Sequence, residues 1–580
     1  MRGATVLGAV AFAAAASFGS LQAQSTTEIV SVATSGAQGN DISARFSVPA
    51  VSANGKIVAF DSQATTLVSG DSNHVVDVFV RDRNTGTTDR VSVSSAGVPG
   101  NGTSTRPTID AAGNLIVFDS SASNLLGAGG DTNSVLDVFV HDRTTHTTSR
   151  VSVSSTGQQG NGASFSPMIS ANGRYVTFIS IASNLVPNDT NGTEDAFVRD
   201  LLLGTTQVVS VSSAGVLGNN DTTLTSISGD GNVVAFMSFS SNLVPNDTND
   251  TLDLFSHDRT TGVTEFVSVN NAGEQANGSS EWPNVSGDGR YVAFWSDATN
   301  LVAADTNDRR DVFVRDRLLG TTERVGIGNN GEQGDADAEP AGIRGFNASG
   351  PDITSDGRFV TFFSTARNLV PGDTNTCGPV WQSPPGACPD VFVRDRVAGT
   401  TRRVDVSGAG AEANYWAGDS VISDDGSTVA FFSAASTLVP GDLNTCLGFS
   451  SFLGQCPDVF VRVTPVASNG PGRVNDDLRI GKTVAPAIRL QWGPSCSAGA
   501  TDYAIYEGVV GSWYSHTQID CSDGGANLTE DVVPGAGNRY YLVVPLDPTE
   551  EGSYGTDSSG TERPRGAVTC APLQNVAACP

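Results

Sequence analysis

The strongest constraint on the fold of this chain is a sequence unit of 58 to 69 residues that recurs seven times. Its form is roughly P-x-I-S-x-D/N-G-x-x-V-A-F-x-S, then N-L-V-x-x-D-T-N, D-V-F-V-R-D-R and G-T-T-x-R-V-S-V-S. Self-similarity at a fixed period predicts a solenoid, a propeller or an array. The anchor residues of the seven copies are Pro49, Pro107, Pro167, Thr225, Pro283, Pro351 and Ser420.

Each copy contains four strand-like runs separated by turn residues. Four antiparallel strands per repeat are typical of a propeller blade. The inner runs, such as Tyr291–Trp295, are apolar at successive positions, which indicates strands buried on both faces between stacked blades. The four runs of the third copy are 167–170, 175–180, 195–200 and 206–211.

The two ends of the repeat array complement each other. The seventh copy lacks the final G-T-T-x-R-V-S-V-S strand, and residues 26–32, ahead of the first copy, supply a similar segment. We therefore predict an all-β fold, in which residues 26–465 form a seven-bladed β-propeller. The N-terminal strand is expected to pair beside residues 458–462 and close the ring, which removes exposed sheet edges.

The P-x-I-S-x-D-G-x-x-V-A-F repeats resemble the WD-repeat-like propeller units of the TolB-type family over about residues 26–465. TolB proteins are periplasmic, carry a six-bladed propeller after an α/β domain, and bind a peptidoglycan-associated lipoprotein. The resemblance implies a propeller outside the cytoplasm. The seven repeats and the lack of a matching α/β domain depart from that family, so its partner is not carried over.

A second module is expected after a linker over residues 466–478. Strand-like runs at 487–492, 502–506 and 539–544 follow, with Trp492 ending one run and Tyr540 opening another. This pattern over residues 479–580 resembles a fibronectin type III domain, which implies a small β-sandwich with a core Trp and a late corner Tyr. Such modules act as spacers or adhesion units.

Residues 1–23 have the pattern of a secretory signal, with Arg2, an apolar run over 4–18 and a cleavage site after Ala23. No later segment predicts a membrane span, so we expect a periplasmic or secreted protein. An even cysteine count in an exported chain indicates disulfides. The close pairs are Cys377 with Cys388, Cys446 with Cys456, Cys496 with Cys521, and Cys570 with Cys579.

The charge balance is 33 basic against 61 acidic residues, a net charge of −28. A nucleic-acid-binding protein needs a basic stripe, and none is visible, so nucleic acid is excluded as a partner. We expect a monomer whose acidic surface favours solubility.

A recurring D-x-N-x-x-x-D loop is the most ligand-like motif. Oxygen ligands at alternate loop positions suit Ca²⁺, whereas the alternative is a turn in which Asp and Asn side chains accept backbone hydrogen bonds. No cofactor is required by either interpretation, and calcium is the one candidate. The loop residues are Asp71, Asn73, Asp77, Asp131, Asn133, Asp137, Asp189, Asn191, Asp195, Asp247, Asn249, Asp253, Asp305, Asn307 and Asp311.

Aromatic side chains offer candidates for a sugar-binding surface. Trp381 lies inside the insertion bracketed by Cys377 and Cys388, and Tyr415 and Trp416 precede the seventh copy. Trp282 is a further candidate, whereas Trp295 is expected to pack between blades.

No catalytic motif was recognised in the sequence, and His141 and His257 have the pattern of surface substitutions. The leading prediction is a non-enzymatic binding or scaffold protein that presents propeller loops to a protein or glycan ligand. One alternative is an extracytoplasmic enzyme acting on polysaccharide or peptide at the propeller rim. Another is a calcium-stabilised surface protein.

Overall fold

The computed structural model describes residues 25–44, 47–338, 350–377, 387–442 and 456–464, and beyond them only separate strands between 479 and 574. Every regular element in these residues is a β-strand. No helix among them is long and apolar enough to cross a membrane. The predicted signal segment and the linker lie outside the described residues.

Seven four-stranded antiparallel sheets form the blades of the propeller, as the repeat predicts. We call the four strands of each blade a to d. The strands are, in blade 1, Ala50–Val51, Ile57–Ser62, Asp77–Asp82 and Thr87–Arg90; in blade 2, Ser104–Ile109, Leu115–Ser120, Asp137–Asp142 and Thr147–Arg150; in blade 3, Ser164–Ile169, Tyr175–Ser180, Asp195–Asp200 and Thr205–Val208; in blade 4, Thr222–Ile227, Val233–Ser238, Asp253–Asp258 and Val263–Phe266; in blade 5, Ser280–Val285, Tyr291–Ser296, Asp311–Asp316 and Thr321–Arg324; in blade 6, Asp352–Ile353, Phe359–Ser364, Asp390–Asp395 and Thr400–Arg403; in blade 7, Ala417–Ile422, Thr428–Ser433, Asp458–Val463 and Thr26–Ile29.

The N-terminal strand closes the ring, which confirms the prediction from the two array ends. Thr26–Ile29 pairs antiparallel with Asp458–Val463 and is strand d of blade 7. Beyond the strand, the Val30 backbone N–H donates to the Val459 carbonyl at 2.8 Å. The first and last parts of the propeller therefore share one sheet.

One threonine per blade joins strand d to the preceding blade. In blade 3 the Thr206 hydroxyl donates to the Val153 carbonyl. In blade 7 the Thr27 hydroxyl makes the same bond to the Val406 carbonyl, at 2.6 Å. The second threonine of the G-T-T motif thus links neighbouring blades, and Thr27 supplies the link that the seventh copy lacks.

The core lies between the blades and consists of strands b and c, which are buried on both faces. A phenylalanine on strand b stacks on a phenylalanine of strand c in each blade, with ring centroids 5.7 to 6.2 Å apart. Trp295 is fully buried and packs edge-on against Phe363 of the next blade, as expected. Close packing also explains the glycine in the turn between strands a and b: a Cβ on Gly231 would lie 2.0 Å from the Tyr175 ring of the neighbouring blade.

Two of the predicted disulfide sites fall within the described residues. Cys377 and Cys388 form a disulfide that closes the insertion of blade 6 over a separation of 11 residues. Cys456 is also disulfide-bonded, while its predicted partner Cys446 lies outside the described residues. So do Cys496, Cys521, Cys570 and Cys579.

After the propeller, the described strands form two further sheets. The three-stranded sheet contains Arg479–Lys482, Ile488–Gln491 and Thr529–Val532; the five-stranded sheet contains Asp502–Val509, Ser512–Asp520, Arg539–Leu546, Glu550–Glu551 and Leu573–Gln574. The strands Ile488–Gln491, Asp502–Val509 and Arg539–Leu546 overlap the three predicted runs. The fibronectin type III assignment stays a prediction.

Candidate functional site

The seven a strands surround a cavity of about 500 Å³ on the axis of the ring. At one end, the turns that follow strand a are hydrogen-bonded from blade to blade. The Ala53 N–H donates to the Ala111 carbonyl at 3.1 Å, and the Gly229 N–H donates to the Gly287 carbonyl at 2.9 Å. A cavity of this volume suits a small ligand or a short segment of a polymer.

The a strands bulge where they line the cavity. Arg106, Ser166 and Trp282 occupy the bulges of blades 2, 3 and 5, each directly before a proline, with φ of 53°, 51° and 58°. All three line the cavity. Left-handed backbone at a non-glycine residue costs about 1 kcal/mol or more and is common at functional sites. The bulges bring a guanidinium, a hydroxyl and an indole to the same cavity.

Two carboxylates in the cavity depart from the repeat consensus. Asp352 of blade 6 follows the anchor residue, and Asp424 of blade 7 lies in the turn after strand a. At the position of Asp352 the other blades have Ala50, Thr108, Met168, Ser226, Asn284 and Val421. At the position of Asp424 they have only small residues, namely Ala53, Ala111, Ala171, Gly229, Gly287 and Ser355. The two unmatched acids are therefore in adjacent blades on the same cavity.

Asp352 is held in place from three sides. Its Oδ1 accepts the Asn284 amide at 2.8 Å and the Ile353 N–H at 2.9 Å, and its Oδ2 accepts the Ile422 N–H at 2.7 Å. Burial raises the pKa of Asp352 to about 7, and the charge of Asp424 acts in the same direction, whereas the three donors oppose the shift. A carboxyl that titrates near neutral pH inside a cavity is a candidate general acid or base.

Two of the three predicted aromatic site residues, Tyr415 and Trp416, lie within the described residues. Trp416 is buried, with 6 % of its surface exposed, and packs edge-on against Phe432 at 4.8 Å, so it is a core residue and does not present a rim surface. Tyr415 is half-buried against the same core. Trp381 lies outside the described residues. Of the aromatic candidates, Trp282 lines the cavity.

The D-x-N-x-x-x-D loops of blades 1, 2 and 5 contain an arginine between their carboxylates. Arg90 contacts Asp71 at 3.1 Å and Asp77 at 3.0 Å. The other contacts are Arg150 with Asp131 and Asp137, and Arg324 with Asp305 and Asp311. Asn73 and its equivalents Asn133 and Asn307 each donate to a backbone carbonyl of the following turn. The arginine supplies positive charge between the carboxylates of these loops, which favours the turn interpretation over calcium there.

Blades 3 and 4 lack that arginine, because Val208 and Phe266 end their d strands. Burial and the neighbouring Asp195 raise the pKa of Asp189 to about 6. Burial likewise raises the pKa of Asp253 to about 6. The side chains of Asn191 and Asn249 donate to carbonyl groups as in the other blades, and Gln275 donates to both Asp247 and Asp253. Calcium binding at these two loops stays a prediction.

Three carboxylates of blade 6 lie close enough together to hold a metal ion. Oxygens of Asp373, Asp390 and Glu412 are within 4.8 Å of one another. Arg403 lies among them, 2.7 Å from Asp373 and 3.4 Å from Asp390, and it also contacts Glu412. Because its guanidinium supplies the positive charge there, we assign the cluster to an ion-pair network and not to a metal centre.

The two repeat histidines are not surface substitutions, which corrects that prediction. His141 and His257 are 4 % and 6 % exposed, and each Nδ1 lies 2.9 Å from a threonine hydroxyl of strand d. Burial lowers the pKa of both. Neither lines the cavity.

No family model and no curated protein matches the chain. Solved structures with a similar fold include oligogalacturonate lyase from Vibrio parahaemolyticus, at 12 % identity over 76 % of this chain and 97 % of that one, with a TM-score of 0.42. A second oligogalacturonate lyase structure, in complex with manganese, has 12 % identity over 74 % and 90 % of the chains and a TM-score of 0.41.

Two further similar structures extend the comparison. The acylaminoacyl peptidase of Pyrococcus horikoshii has 9 % identity over 79 % of this chain and 58 % of that one, with a TM-score of 0.38. TolB from Acinetobacter baumannii has 13 % identity over 56 % and 58 % of the chains, with a TM-score of 0.31. At these values the similarity concerns the propeller fold alone.

The prediction of a non-enzymatic binding or scaffold protein is corrected by these findings. The similar propellers include a lyase and a peptidase, both enzymes. The reaction itself has to be argued from the cavity.

Proposed function

We propose that the protein is an extracytoplasmic enzyme that cleaves a glycosidic bond of a polysaccharide in the axial cavity. The observation that carries the proposal is the pair of unmatched acids, Asp352 and Asp424, on one cavity. A location outside the cytoplasm is supported by the Cys377–Cys388 disulfide, because disulfides persist in oxidising compartments.

Glycosidic cleavage uses two carboxyl groups in different protonation states. Asp352 fits the general acid, because its raised pKa keeps a proton on it at mildly acidic pH. It would give that proton to the glycosidic oxygen as the bond to the anomeric carbon breaks. Asp424 is exposed to solvent and fits the ionised partner, which stabilises positive charge on the sugar ring and accepts the proton of the water that adds to the anomeric carbon.

The remaining lining residues suit a sugar ligand. Trp282 offers an aromatic surface for the apolar face of a sugar ring, and Arg106 offers a donor for hydroxyl or acidic substituents. Peptide cleavage by a covalent route would need an activated nucleophile, and the described lining contains neither histidine nor cysteine. The described lining therefore does not favour covalent peptide cleavage, whereas Trp282 and Arg106 favour a sugar ligand.

The test is release of new reducing ends from a panel of neutral and acidic polysaccharides by the full chain. Asp352→Asn is expected to lower the rate by about 10²- to 10⁴-fold, as loss of a general acid does. Asn is tolerated at this place in the repeat, because Asn284 occupies it in blade 5.

Asp356→Asn is the matched control. Asp356 lies in the next turn of the same blade, and Asn54 and Asn172 stand at its position in blades 1 and 3. This variant should keep wild-type activity. Equal rates for the wild type and Asp352→Asn on a cleaved polysaccharide would refute the assignment of Asp352.

A further inference from the structure

Blade 6 differs from the other blades in a buried contact between strand c and the segment after strand d. In four blades a serine hydroxyl after strand d donates to the first aspartate of strand c, at 2.6 to 2.8 Å. Ser31 makes the same bond to Asp458 in blade 7. In blade 6 the serine is replaced by Asp405, which faces Asp390.

The replacement places two carboxyl groups in hydrogen-bonding contact, both without exposed surface. Asp405 Oδ1 accepts the Val391 N–H at 3.0 Å, as the serine oxygen does in five of the other blades. Its Oδ2 and the Oδ2 of Asp390 are both buried and accept no hydrogen bond from the described residues, whereas five other blades have a hydroxyl donor to the strand c aspartate. Two carboxylate oxygens cannot hydrogen-bond to each other unless one carries a proton.

We propose that Asp390 and Asp405 share one proton, and that this proton makes blade 6 a pH-sensitive lock directly after the Cys377–Cys388 disulfide. Burial raises the pKa of Asp390 well above its ordinary value, and the charge of Asp405 adds to the shift. Burial also raises the pKa of Asp405.

The charges around the pair do not remove the need for the proton. Arg403 contributes one positive charge, whereas Asp373 and Glu412 add two negative charges beside it. With Asp390 and Asp405 both ionised, four carboxylates would face a single guanidinium. One shared proton reduces this excess and completes the hydrogen bond.

The sign of the pH effect follows from the direction of the shifts. A proton that the folded state holds and the unfolded chain releases favours folding at low pH, and its contribution is lost as pH rises through the folded-state pKa. Over that range the folding equilibrium constant falls up to tenfold per pH unit. Deprotonation is expected to loosen strand c of blade 6.

The test compares urea unfolding of the full chain between pH 4 and 9 with that of Asp405→Asn. The amide donates to Asp390 and accepts the Val391 N–H without titrating. In the wild type the folding equilibrium constant should fall by up to tenfold per pH unit over this range. Asp405→Asn should not show this part of the fall. Identical pH profiles for the two proteins would overturn it.

A reciprocal variant covers the case in which Asp405→Asn does not fold. Ser92→Asp introduces the same pair of carboxyl groups in blade 1. There Asp77 accepts a hydrogen bond from the Ser92 hydroxyl and forms an ion pair with Arg90. This variant should gain an additional fall of up to tenfold per pH unit relative to the wild type. A profile parallel to that of the wild type would contradict proton sharing.

Discussion

Replacing Asp352 with asparagine should change how the stability of the propeller depends on pH. The folded protein holds a proton on Asp352 up to a pKa of about 7, whereas the unfolded chain releases it near 3.8. Stability from this group is therefore fully present below pH 3.8 and is lost as pH rises through about 7. Asparagine does not titrate, so the variant lacks this component.

The size of the effect follows from the two pKa values. At 1.36 kcal/mol per pKa unit, a shift of about three units corresponds to about 4 kcal/mol. Because Asp352 lines the cavity and is partly accessible, water screens its charge, and we expect about 2 kcal/mol of this to be measurable. The free energy of unfolding should thus fall by about 2 kcal/mol more in the wild type than in Asp352→Asn between pH 4 and 8.

The assay is equilibrium denaturation of both proteins at half-unit steps of pH. A constant offset between the curves is expected in any case, because the new amide donor faces the Ile422 N–H. The test is the difference between the two proteins in the slope of unfolding free energy against pH. Parallel curves would refute the reasoning that burial in the cavity shifts this carboxyl.

Two further predictions concern blades 3 and 6. Val208→Arg in blade 3 places a guanidinium between Asp189 and Asp195, in the position that Arg90 has in blade 1. It should stabilise the protein by about 1 kcal/mol above pH 6 and by less at pH 4. Thermal melts at the two pH values measure this difference. Removal of the Cys377–Cys388 bridge, which spans 11 residues, in a Cys377→Ser, Cys388→Ser double variant should destabilise the protein by about 2.5–3 kcal/mol in the chain-entropy model, measured by denaturation of the variant beside the wild type. Unchanged stability in either case would contradict the corresponding prediction.

The ring of blades could be predicted from the sequence because each copy repeats the same apolar strand runs and turn signals. The closing strand could also be predicted, since residues 26–29 resemble the fourth strand of the repeat, which the seventh copy lacks. The burial of His141 and His257 was missed, although both stand on strand c, one of the two strands buried between stacked blades.

The candidate site was also within reach of the sequence. Asp352 and Asp424 stand at repeat positions where no other blade has an acid, and a position-by-position comparison would have isolated them. What the sequence did not show is that both positions line one cavity. The arginine between the loop carboxylates of blades 1, 2 and 5 was missed for a similar reason: Arg90 is 19 residues from Asp71 along the chain yet reaches it across the sheet.

The closed ring, on which the cavity depends, is tested most directly by comparing the unfolding free energies of Ser31→Ala and Ser210→Ala. Ser31 donates to Asp458 across the closure, and Ser210 donates to Asp195 inside blade 3, at 2.7 and 2.6 Å. Each loss leaves buried polar groups without that partner, at a cost of about 2–3 kcal/mol. We predict equal destabilisation of the two variants. Wild-type stability of Ser31→Ala beside a destabilised Ser210→Ala would contradict closure by the N-terminal strand.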